Sequence, residues 1–100
     1  MSASIAIQIL PKVDTDAEVC RSGDVVIANI HSTGLRYEVG PFETTIEGEV
    51  FDQLMDIARE CHHVAVRAGA PKVSAYIKTV FRPAGEILTI DQKIGKYQHS

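Results

Sequence analysis

The chain has no tryptophan, only two cysteines and only six aromatic residues in 100. No CxxC pair occurs, so a thiol-based metal or redox loop is excluded. Cys20 and Cys61 lie far apart in segments that read as helices, which fits two reduced thiols better than a bridge. No apolar run approaches the roughly 18 residues that a membrane-spanning helix needs. The first ten residues carry no basic segment, and their apolar run is broken by Gln8 and closed by Pro11. No export signal is read there, and a cytoplasmic protein is expected. Excess positive charge is also lacking: ten Lys and Arg face thirteen Asp and Glu, a formal net charge of −3. That balance argues against a nucleic-acid partner. What is present is ordinary globular usage, 45% hydrophobic and 23% charged, and residues 1–100 are read as a single domain.

Hydrophobic periodicity orders the elements. Residues 4–10 alternate, with Ile5, Ile7 and Ile9 on one face and Ala6, Gln8 and Leu10 on the other, a strand. Thr15-Asp16-Ala17-Glu18 is a capping-box pattern that opens a helix. Its apolar stripe holds Val19, Val26, Ile27 and Ile30, and Gly34 follows as a left-handed cap. Gly23 falls on the stripe, either for close approach to a sheet or with no special role. Residues 35–39 and 42–47 alternate on either side of the Gly40-Pro41 turn and form a hairpin. A second helix carries Phe51, Leu54, Ala58, Cys61, Ala65 and Ala68 at spacings of three and four, ended by Gly69 and Pro71. Residues 72–82 form a last strand, with Val73, Ala75, Ile77, Thr79 and Phe81 on one face. A second capping box, Thr89-Ile90-Asp91-Gln92, predicts a short terminal helix.

The order β-α-β-β-α-β predicts an α+β fold, a ferredoxin-like sandwich with a four-stranded antiparallel sheet. Right-handed crossovers place both long helices on one face. The other face is then expected to be bare, with apolar content, and to be covered by further copies of the chain in a dimer or homotetramer.

Two enzyme and binding classes share this element order and fail at their chemistry. An acylphosphatase needs a phosphate-cradling loop with an arginine after the first strand, where this chain has Lys12-Val13-Asp14-Thr15-Asp16. An RNA-binding domain needs aromatics on the central strands in a basic setting. His62-His63 are adjacent, so on a helix they diverge by about 100° and do not make a ligand pair. No triad, P-loop or dinucleotide fingerprint occurs, and neither a catalytic nor a metal site is read.

One segment stands apart. Residues 32–49 gather Ser32, Thr33, Thr44 and Thr45 with Tyr37, Phe42, Glu38, Glu43 and Glu47. Hydroxyls, aromatic faces and carboxylates suit a small, flat, positively charged heterocycle, although the same residue types also make an ordinary strand surface. Gln8 is an amide among apolar neighbours and needs a partner, either a ligand or a subunit interface.

This stretch, Ser32-Thr33-Gly34-Leu35-Arg36-Tyr37-Glu38-Val39-Gly40-Pro41-Phe42-Glu43-Thr44-Thr45-Ile46-Glu47-Gly48-Glu49, resembles the signature of the YkoF-like thiamine-binding family. Ala68-Gly69-Ala70-Pro71-Lys72-Val73 is similar to that family too. The resemblance implies a small oligomer of ferredoxin-like subunits that binds thiamine or its hydroxymethylpyrimidine moiety without transforming it. Larger members carry two such repeats, so a single-repeat chain would supply the second by self-association. Ser32, Thr33, Thr44, Thr45 and Glu47, with Gln8, are the implied ligand-binding residues. No cofactor is implied beyond thiamine as a bound ligand, and a thiamine-related transporter is a candidate partner. The competing reading is a structural or regulatory oligomeric module with no small-molecule ligand.

Overall fold

The computed structural model describes residues 1–97. Its elements are β1 (Ala3–Pro11), α1 (Asp16–Ser32), β2 (Tyr37–Val39), β3 (Thr44–Gly48), α2 (Phe51–Arg67), β4 (Val73–Phe81) and α3 (Ile90–Ile94), followed by a 3-10 turn at Gly95–Tyr97. The strands form one antiparallel sheet in the order β2-β3-β1-β4, the ferredoxin-like arrangement expected from the element order.

Register sorts the side chains. Ile5 pairs with Ile46 and Thr79, and Ile7 with Thr44 and Ile77. These residues therefore share the face that α1 and α2 cover, and Ile5, Ile7, Ile46, Val26, Ile30, Leu54, Ile57, Ala58, Cys61 and Ala65 make the core. The opposite face carries Ser4, Ala6, Gln8 and Leu10 with Thr45, Glu47, Lys78 and Val80. A slip of one residue would exchange the two sets and bury Gln8 and Lys78, so core burial holds the register.

The helix ends follow local chemistry. The Thr15 hydroxyl accepts from the Glu18 amide at 3.1 Å, while the Glu18 carboxylate reaches back one residue further than a capping box requires, to the Asp14 amide at 3.0 Å. At the C-terminus of α1, Gly34 takes φ +75°, a left-handed value that few other residues adopt without strain. α2 has no side-chain N-cap, and at its far end the carbonyl of Ala68 accepts from Arg21 of α1 at 2.8 Å. In the β2–β3 turn the Gly40 amide donates to the Glu43 carbonyl, and a Cβ at Gly40 would sit 2.9 Å from that oxygen. The tight turn therefore requires glycine there.

One open reading is decided and one expectation is corrected. Of the two readings of Gly23 the structure favours no special role over close approach, since an added Cβ would meet nothing within 4 Å. Gly23→Ala is accordingly expected to stabilise the protein by about 0.5–1 kcal/mol, by restricting the unfolded chain and improving helix propensity. An unchanged or lower urea midpoint would contradict this. Second, the open face is not bare. Residues 82–89 turn back past the start of β1, where Arg82 donates to the Ser2 carbonyl and Ile87 to the Met1 carbonyl, each at 2.9 Å. They deliver α3 onto the end of the open face where Ser4 and Glu47 lie.

β4 pairs with β1 over its whole length but forms the sheet edge. From Tyr76 onward its side chains are exposed on both faces, apart from the stacking of Phe81 on Phe51 at 4.7 Å.

Candidate functional site

The open face holds a cleft of about 680 Å³. Its floor is Ser4 and Ala6 of β1, Thr45 of β3 and Lys78 and Val80 of β4. The β2–β3 turn, with Phe42, walls one side and Ile90, Lys93 and Ile94 of α3 another. The size suits a small organic ligand, and the lining mixes apolar surface with a few polar groups. Phe42 is 79% exposed, an aromatic ring with no large apolar cover.

Ion pairs frame this cleft. Lys78 meets Glu43 at 2.8 Å, across the sheet from β4 to the turn. Arg36 joins Glu38 at 3.3 Å and Asp91 at 2.8 Å, tying α3 to the hairpin. The Arg36 guanidinium holds the Asp91 carboxyl below the usual aspartate range, chiefly through their hydrogen bond. A carboxyl lowered in the folded state contributes stability above its unfolded value and loses it as pH falls through the folded one. Acidification through and below the ordinary aspartate range therefore loosens the clasp on α3.

Glu47 differs from the other carboxylates of this face. It is 4% exposed, and its Oε2 accepts from the Ile90 amide, the first of α3, at 2.8 Å. Among the described residues no Lys, Arg or His forms an ion pair with it. It sits two residues beyond Thr45 on the same face, beneath the start of α3.

The six residues singled out in the sequence separate in space. Thr45 lines the cleft, and Glu47 lies beside it under α3. Thr44 faces the helices, and with Gln8 it borders a smaller crevice of about 180 Å³ on the other side of the β2–β3 turn. Ser32 and Thr33 border neither space. Their hydroxyls donate to the Asn29 carbonyl at 2.6 Å and the Ile30 carbonyl at 2.7 Å, closing the last turn of α1. Beside them the ring nitrogen of His31 and the Tyr37 hydroxyl are 3.0 Å apart. Lys78, Ile90, Lys93 and Ile94 were not anticipated. Alternation along residues 72–82 already placed Lys78 with Val80, but only the β1–β4 register sets them opposite Ala6 and Ser4. Nothing local marks α3 as a wall.

Cys61 and His62 have structural contacts. Burial pushes the Cys61 thiol up, against a weaker opposing contact from Asn29 of α1. His62 Nδ1 lies 2.8 Å from the Ala58 carbonyl, and among the described residues no three His, Cys, Asp or Glu side chains converge. No helix of the described residues is long and apolar enough to cross a membrane.

Comparison with known proteins bears on this cleft. The chain is 37% identical to a UPF0045 protein of Clostridium perfringens over 97 residues, covering 97% of this chain and 98% of that one. A domain of unknown function, DUF77, from Bacillus cereus has the same fold with a TM-score of 0.85 and 35% identity, over 98% of this chain and 91% of that one. A Thermotoga maritima protein provisionally assigned to thiamine biosynthesis or salvage superposes with a TM-score of 0.81 and 30% identity, over 97% and 99% of the two chains. The sequence profile of thiamine-binding proteins matches residues 5–98, which takes in the hairpin, α3 and every floor residue of the cleft except Ser4, and the chain belongs to that family.

Proposed function

We propose that this protein binds thiamine or its hydroxymethylpyrimidine moiety in the cleft of the open sheet face, without transforming it, as a cytoplasmic homo-oligomer. The observation that carries this reading is the chemistry of the cleft in a chain of this family. Ser4 and Thr45 offer hydroxyls to an aminopyrimidine, Phe42 offers a ring face, and Glu47 supplies a carboxylate with no cationic partner among the described residues, whereas Glu38 and Glu43 are already paired with Arg36 and Lys78. Burial holds a flat ring while the few polar groups discriminate.

Self-association is supported by the rest of the same face. Leu10, Tyr76 and Val80 are exposed large side chains on it, and β4 leaves one edge of the sheet unpaired. An edge of that length invites pairing, and a second copy would cover it. The same edge also favours the competing reading, in which assembly itself is the function.

A thermal-shift series with thiamine, its phosphates and hydroxymethylpyrimidine, read beside light scattering, separates the two. A ligand at 100 times its Kd stabilises by about 2.7 kcal/mol, a clear rise in Tm. An oligomer with no response to any of these compounds would favour the assembly reading, and a monomer with no response would end both.

A further inference from the structure

We propose that α3 is a displaceable cover over the Glu47 carboxylate, and that an organic cation with N–H donors exchanges with the Ile90 amide for that carboxylate. The proposal rests on the ligand class argued above and adds how the ligand reaches its charge partner. Three observations carry it. Glu47 is almost wholly buried yet has no cationic partner among the described residues, and its hydrogen bond runs to one backbone amide of α3. A carboxylate has room for several donors, and the hydrogen bond from Ile90 uses one of those places, so Glu47 keeps the capacity to accept from a ligand N–H. The cover itself is small. α3 has five residues, and besides buried Ile90 and half-buried Ile94 it has its own capping box and the exposed Arg36–Asp91 pair. Finally, Ile90 lines the cleft as well as bonding Glu47, so a ligand on Thr45 abuts the residue it must displace.

The geometry sets a sign that a fixed wall would not. If α3 must yield, weakening its attachments lowers the cost of opening and tightens binding. If α3 is only a wall, the same changes loosen binding. Thr89→Ala removes the hydroxyl that accepts from the Gln92 amide, and Asp91→Asn removes the charge that pairs with Arg36. Neither residue lines the cleft.

Hydrogen exchange on the ligand-free protein and calorimetry with thiamine test this together. The Ile90 amide should exchange at least about tenfold faster than the β1 and β3 amides, and faster still in both variants, while slow exchange in β1 and β3 reports an intact sheet. Thiamine should bind each variant about fivefold more tightly, the scale of one lost cap. In a Glu47→Gln background that gain should vanish, because the carboxylate being uncovered is gone. Unchanged or weaker binding in the loosened variants, or Ile90 exchange as slow as that of the sheet, would overturn the cover. Failure of the wild type and of every variant to bind thiamine would instead overturn the ligand assignment itself.

Discussion

Leu54→Ala is expected to lower the stability of the folded chain by about 3 kcal/mol, within the usual range of roughly 2–5 kcal/mol for such a truncation. Leu54 is 0% exposed on the inner face of α2. Its side chain packs over the end of β3 beside Leu35, at ordinary contact distance from where a Cβ on Gly48 would lie, 3.5 Å from Leu54 Cδ2 and 3.6 Å from Leu35 Cδ1. Truncation leaves a void beneath α2 in the packed core, so the transfer and cavity costs add. For a protein of this size the loss corresponds to a fall in Tm of roughly 12–24 °C. Denaturant unfolding with an unchanged m-value and a lower midpoint is the expected signature. A loss under about 1 kcal/mol would mean that α2 and β3 collapse together freely, against the packing described.

The second large effect concerns binding rather than folding. Glu47→Gln is expected to weaken thiamine binding by roughly 10- to 100-fold, the range for a hydrogen bond to a charged group. The fold should survive, because the glutamine carbonyl can still accept from the Ile90 amide. Circular dichroism and the elution volume should match the wild type, while calorimetry reads the loss. The comparison with Glu47→Ala separates charge from anchoring. Alanine removes the acceptor, orphans the buried Ile90 amide and should release α3 as well. Equal thiamine affinity in the wild type and the glutamine variant would mean that the carboxylate plays no part in recognition, and the cleft would need another source of charge complementarity.

The Thr89–Gln92 box illustrates how far local chemistry reaches. Both of its hydrogen bonds form as the four residues predict, because each partner is within one helical turn. The same four residues carry no information about where α3 lands. Its position depends on Glu47, 43 residues away, and on Arg36, 55 residues from Asp91. The threonines make the same point. Thr44 and Thr45 are equivalent as composition, but strand alternation sends one toward the helices and the other into the cleft. Ser32 and Thr33 read well as ligand donors in a signature, yet a helix terminus with orphan carbonyls nearby claims their hydroxyls first.

Element order, helix ends and the division of each strand into two faces were determined by the amino-acid sequence alone, because periodicity, capping and turn chemistry act over a few residues. The family was legible for the same reason, from a contiguous hairpin stretch. Only the tertiary structure decided that Lys78 and Thr45 share a floor, that Ser32 and Thr33 stand apart from it, and that α3 roofs Glu47. Those facts depend on strand register and on a returning segment, which join residues far apart in the chain, and no local pattern encodes a distance of that kind.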